Sequence, residues 1–287
     1  MSAVGVTEQR RAAFSPRHQQ LLQSGGPECS VRPCQSRECW PYTITTSSDF
    51  QLLVQRNASH AHLAFSANHS VPFVRGTLPR QLGGDDLVRL LLSVRFAPRR
   101  RLPSGFFVNL VRLRSLQLYH DAPDSDRFSL RLSEGTFEGL SEVVELELAQ
   151  LGIEDLPHGV FAGLRSICRL DLSQNRLAVI RSDVFQPPPV SVSTVNRHGC
   201  CSNLTILSLS RNRFVDVADI HVSRLTSLKS VDLSENVIAN LNRNSFDGAS
   251  DSTLAAFAQI SQLNLALNVI DQVRVVLYLL SAAKIND

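Results

Sequence analysis

The sequence predicts an α/β solenoid, a curved stack of short strand-and-return units with a parallel β-sheet on its concave face. Three observations predict it. The apolar residues of ICRLDLSQNRL, namely Ile167, Leu170, Leu172 and Leu177, set a spacing that recurs along the chain with different residues between them. Asn175 stands two residues before the last of these, and Asn212, Asn236 and Asn268 occupy the same register in later units. The units begin at Leu87, Leu113, Val143, Ile167, Leu204, Leu228 and Ile260, with separations of 26, 30, 24, 37, 24 and 32 residues, so the basic unit is 24 residues and three units carry insertions.

Aligned, the units spell L-x-x-L-x-L-x-x-N-x-L, the signature of a leucine-rich repeat. Such a unit cannot bury its leucines alone, so its neighbours must stack on both sides and the core runs along the array as a curved horseshoe. The asparagine has its own physical reason. Where the chain leaves the strand and bends, backbone N–H and C=O groups turn inward without partners, and an amide side chain can both donate to and accept from them. Asn175, Asn212, Asn236 and Asn268 are therefore expected to form a buried ladder rather than four surface turns.

At 287 residues with 43% hydrophobic composition, the chain has ample material for a core. A net charge of +3 from 29 basic and 26 acidic residues gives nucleic acid no electrostatic hold, and the run Arg99 to Arg101 reads as a solvated edge. The six cysteines fall into two groups, Cys29, Cys34 and Cys39, then Cys168, Cys200 and Cys201. Three N-x-S/T sequences, at Asn57, Asn68 and Asn203, are glycosylation candidates and point to a secretory compartment. The first twenty residues contain no apolar run that could act as a signal peptide. An incomplete copy of a larger extracellular protein is the expectation.

Residues 1–28, rich in Gln, Arg, Ser and Gly without a period, are expected to be disordered or foreign to the fold. Residues 29–86 read as an N-terminal cap, with three cysteines, Trp40 and candidate strands at Phe50 to Gln55 and His62 to Ala67. A cap is needed because the first repeat has an open apolar end. Seven repeats fill 87–274, with Arg95 at the asparagine site of the first. The second is enlarged by His120 to Ser129, and the fourth by the proline-rich Gln186 to Ser202. A bond from Cys168 to Cys200 or Cys201 would pin that second insertion, the alternative being three thiols. The tail 275–287 reads as truncated. Its apolar run Val275 to Leu280 falls far short of the roughly 20 residues that span a bilayer, and it is expected to cover the last repeat as a makeshift helix or to be non-native sequence.

The second half of each unit places an apolar residue at position 14 and a phenylalanine near position 19, as in Leu156 with Phe161 and Leu241 with Phe246. Those rings fill a convex side of helical turns and irregular chain, and the wide back curves the sheet. Side chains at positions 3, 5 and 8 then face the concave side or its rim. There the sequence offers Glu145, Glu147, Arg169, Asp171, Arg211 and Asp232, a mixed-charge strip with an acidic bias that suits a basic protein partner. No nucleophile elbow, phosphate-cradling glycine loop or metal-ligand spacing is present, and the groups His60/His62 and His198/Cys200/Cys201 lack a full ligand set. A non-enzymatic chain without cofactor or metal is the expectation.

RRRLPSGFFVNLVRLRSLQLYH, LSEGTFEGLSEVVELELAQLGIEDLPHGVF and LDLSQNRL, with an oversized repeat following, resemble the N-terminal ectodomain of arthropod Toll receptors, nearest the long Tollo-like branch, over about Leu87 to Val273. The resemblance implies a single-span membrane receptor in innate immunity or development, with its repeats on the extracellular face of the plasma membrane. It also implies a secreted cystine-knot cytokine or another cell-surface protein as partner, and a receptor dimer among its assemblies. This chain departs from the family in showing no signal peptide, an atypical cysteine cap, no membrane span and no TIR domain. The alternative is a leucine-rich-repeat adhesion or matrix protein without a signalling domain.

Overall fold

Apolar residues at the fourth and sixth positions of each unit leave room for one short strand between polar neighbours, and the structure builds the sheet from such strands. The computed structural model describes residues 51–56, 60–66, 89–94, 101–108, 110–120, 128–186, 201–222, 224–241, 260–270, 272–273 and 284–286. Two strands, β1 (Gln51–Arg56) and β2 (His60–Ser66), form an antiparallel hairpin within the segment read as a cap. The repeats supply β3 (Arg89–Val94), β4 (Ser115–Tyr119), β5 (Glu145–Glu147), β6 (Arg169–Asp171), β7 (Ile206–Ser208) and β8 (Ser230–Asp232). They are followed by β9 (Asn240–Leu241), β10 (Gln262–Asn264), β11 (Gln272–Val273) and β12 (Lys284–Asn286).

The main sheet is ten-stranded in the order β1-β2-β3-β4-β5-β6-β7-β8-β10-β12, and every pairing from β2 onward is parallel. This is the α/β leucine-rich-repeat solenoid, with its parallel sheet where the unit starts place it. The register aligns Leu116, Leu146, Leu170, Leu207, Val231 and Leu263 in one inward row, each at most 2% exposed. In β5, β6 and β10 the residues on either side of that buried one are half-exposed, the period-two alternation of a sheet with one wet face.

The apolar run Val275 to Leu280, expected as a makeshift helix, lies outside the described residues; beyond it β12 pairs in parallel with β10, Lys284 opposite Gln262 and Asn286 opposite Asn264. An unpaired strand edge is a template for another strand, and β12 takes it. The frame is hidden because Ala282 stands where the other units begin with Leu, Val or Ile. Tyr278, at the register of the phenylalanine site, was the available signal.

On the convex side Phe107, Phe137, Phe161 and Phe185 stack in sequence with centroids 5.8, 5.9 and 5.7 Å apart, all at most 1% exposed. Among the described residues the connections there are turns and one 3-10 helix, Val217–Asp219, whose N-cap Asp216 and Asp219 form a capping box. The first insertion is pinned at its ends, with the His120 ring stacked on Phe128 at 3.9 Å. Gly152 (φ +60°) follows, and a Cβ there would lie 2.2 Å from the Phe128 carbonyl oxygen, so the close approach of these two repeats requires glycine.

Candidate functional site

Four asparagines hold the strand exits. Asn175 Oδ1 accepts from the N–H groups of Leu151 (3.1 Å) and Ile153 (3.0 Å), and its Nδ2 donates to the carbonyls of Leu148, Leu172 and Ser173. Asn212 repeats the pattern toward Leu177, Leu172, Leu209 and Ser210. Asn236 accepts from the N–H groups of Asn212 and Phe214 and donates to Leu209, Leu233 and Ser234. Asn268 accepts from Ile238 and donates to Leu233 and Leu265. The first three are 5–8% exposed, and each bonds the preceding unit as well as its own.

The residue before the asparagine site is left-handed in every described case from the third unit on: Gln150, Gln174, Arg211, Glu235 and Leu267 have φ of 59, 57, 55, 57 and 59°. This conformation swings the asparagine inward and the preceding side chain onto the rim. There the rim residues pair along the array. Gln150 Nε2 donates to Gln174 Oε1, and Arg211 Nε meets Glu235 Oε2 at 2.8 Å. Arg211 is thus engaged with Glu235 and is exposed at the edge of the concave face.

The concave face itself centres on Arg169. In the register of the sheet Glu145 lies beside Arg169 and Glu147 beside Asp171, so three carboxylates surround one guanidinium. Burial holds that guanidinium below the ordinary arginine value, against the opposing pull of Glu145, Asp171 and Glu147. Its Nε is buried with no hydrogen-bond partner, and so is the Ser208 hydroxyl on the next strand. Glu147 also accepts from Gln117 Nε2 at 2.8 Å. Glu145, Glu147 and Asp171 are half-buried, so the cluster is open to a partner from the concave side.

Asp232 does not belong to an exposed strip. It is 7% exposed, and its Oδ1 accepts from the Ser234 N–H (3.0 Å) and hydroxyl (2.7 Å). Two bonds to a neighbour two residues on satisfy the carboxylate locally and let it lie below the surface. Asp171 Oδ1 makes the same backbone bond to Ser173 (2.8 Å), and Asn264 Oδ1 to Ala266 (3.1 Å). Position 5 therefore closes the end of its strand as well as facing the concavity. The spacing of Asp171 with Ser173 and Asp232 with Ser234 carried that signal in the sequence.

A second concavity of about 600 Å³ lies on the flank where Arg101 bridges Arg131, walled by Glu134, Glu154, Asp155 and Pro157. Beside it Arg181 spans to Asp155 at 2.8 Å, and this hydrogen bond first of all raises its pKa. Asn203 is exposed at the end of the turn that precedes β7, while Asn57 and Asn68 lie outside the described residues. Cys168 is disulfide-bonded. Its partner is not Cys201, a buried thiol whose Sγ lies 3.8 and 3.9 Å from the carbonyl oxygens of Phe161 and Leu164; Cys200 lies outside the described residues. Among the described residues no helix is long and apolar enough to cross a membrane.

Short parallel strands, an asparagine ladder and a phenylalanine stack define a leucine-rich-repeat array, a class of domain that binds other proteins. Residues 202–254 match the family model described as leucine rich repeat. Among known proteins, the human leucine-rich repeats and immunoglobulin-like domains protein 3 is 34% identical over 85 residues, a stretch covering 26% of this chain and 8% of that protein. Among solved structures, a chain of the Drosophila Toll–Spatzle complex superposes with a TM-score of 0.48 at 14% identity, covering 85% of this chain and 36% of that one. The chain thus spans a small part of the relative and about a third of the solved chain.

Proposed function

We propose that the concave face of this array is the partner-recognition surface of an extracellular receptor of the Toll type, acting by binding and not by catalysis. The observation that carries the reading is the cluster on β5 and β6. Glu145, Glu147 and Asp171 are held by the sheet around a half-buried Arg169 whose Nε is buried without an acceptor. A rigid parallel sheet spends little ordering entropy on association. The excess of carboxylates selects a partner that brings lysine or arginine to their rim and a carbonyl oxygen to Arg169. The disulfide at Cys168 supports an oxidising compartment. Resemblance to Toll ectodomains makes a secreted cystine-knot cytokine the class of partner that this reading expects.

The test is binding kinetics of secreted basic cystine-knot proteins to the chain at two ionic strengths, comparing wild type with the triple variant Glu145→Lys, Glu147→Lys, Asp171→Asn. The asparagine keeps the acceptor for Ser173. Steered association through a charged surface exceeds the neutral case by roughly 10-fold or more at low salt. The variant should lose that excess and its salt dependence while keeping its circular dichroism spectrum. Unchanged association rates would remove the concave face from the reading. The relationship to the human immunoglobulin-like relative favours, as a second reading, an adhesion protein using the same face; binding to cell-surface proteins but to no secreted cytokine would select it.

A further inference from the structure

Of the three N-x-S/T sequences, Asn203–Leu204–Thr205 is the one lying within the described residues, and its three side chains have separate fates. Asn203 is exposed at the end of the turn before β7. Leu204 is fully buried as the first position of its repeat. The Thr205 hydroxyl donates to the Cys168 carbonyl (3.1 Å), which also accepts the N–H groups of Thr205 (2.9 Å) and Ile206 (3.0 Å). Arg112 and Glu142 occupy the same register in the second and third units and are likewise exposed. Asn203 therefore stands on the rim where strands begin, about three residues or roughly 10 Å of extended chain from the start of β7.

We propose that Asn203 is an N-glycosylation site and that it is modified before its repeat closes on the preceding one. The co-reactant is a lipid-diphosphate-linked oligosaccharide. The Asn203 Nδ2 forms a bond to the anomeric carbon of the reducing-end sugar and loses one proton. The bond from that carbon to the diphosphate oxygen breaks, and the lipid diphosphate leaves with the electron pair. The acceptor sequence is recognised through the hydroxyl two residues after the asparagine. In the folded chain that hydroxyl and the backbone on either side of it are committed to Cys168. Attachment thus belongs to the open chain. Closing the repeat then buries Leu204 and leaves the sugar on the strand-entry rim, clear of the cluster around Arg169. The proposal rests on the secretory setting proposed above and on no part of the ligand reading.

The whole chain, directed into an animal cell's secretory pathway behind a cleavable leader, is treated with peptide N-glycosidase, and the peptide carrying residue 203 is read by mass spectrometry. Asn203 should be recovered as aspartate. Asn203→Gln and Thr205→Ala should each remove one glycan's step on a gel, and Thr205→Ser should keep it. These steps are read in cell lysate as well as medium, so a variant that misfolds after modification still reports. Asn203 recovered unchanged overturns the site. A reduced Cys168 in that sample would count against the secretory setting, whatever the state of Asn203. For the order of events, detergent-extracted transferase with lipid-linked donor should modify the reduced, unfolded chain at Asn203 and spare the oxidised, folded one. Equal modification of both overturns the order.

Discussion

Asn175 shows how much one side chain can carry in this architecture. Its five hydrogen bonds satisfy backbone groups of two units, and none of those groups has water to fall back on. Leaving a buried backbone donor or acceptor unpaired costs about 1–3 kcal/mol, so Asn175→Ala should cost several kcal/mol in chemical unfolding. Asn268→Ala, at a half-buried position, should cost less. The left-handed residues make a second residue-scale prediction. At Gln174 (φ 57°) a β-branched side chain is disfavoured and glycine is not. Gln174→Val should therefore be about 1–2 kcal/mol less stable than Gln174→Gly, read as the difference in unfolding midpoint at constant slope. The ladder was legible because an asparagine at fixed spacing has few other uses. The burial of Asp232 was not, because it depends on a bond to Ser234 that hydrophobic periodicity does not record.

Among the elements, the phenylalanine stack and the strands depend on each other. Phe161 lies between Phe137 and Phe185 with ring planes tilted by only 14 and 27°. Phe161→Ala leaves a void between two rings that the backbone cannot close, so a loss of about 3–5 kcal/mol is expected. Differential scanning calorimetry would show it as a lowered melting temperature. The same column lends register to the sheet, since each ring fixes how far one unit stands from the next. Strand positions in the array were legible from the leucines. β12 was not, because a three-residue strand of Lys, Ile and Asn is selected by the free edge of β10 rather than by its own composition.

For the whole molecule, stability is a sum of units and nearest-neighbour contacts. A lesion at the middle severs contacts on two sides and one near the end is felt less. Leu170→Ala, in β6, should cost about 2–5 kcal/mol and expose amides of β5 and β7 to faster hydrogen exchange, while Leu263→Ala in β10 should leave exchange in β5 unchanged. Uniform acceleration throughout would contradict the additive picture.

Glu145 and Arg169, 24 residues apart, sit opposite each other just as Arg169 and Ile206 do across 37. Advance along the sheet is therefore about 4.8 Å per unit however much chain a unit consumes. The front of the molecule keeps a fixed pitch while its back varies in content. A partner spanning several strands meets the same spacing of side chains whether a repeat is long or short, and residues can be added between Phe185 and Leu204 without rewriting what the concave face presents.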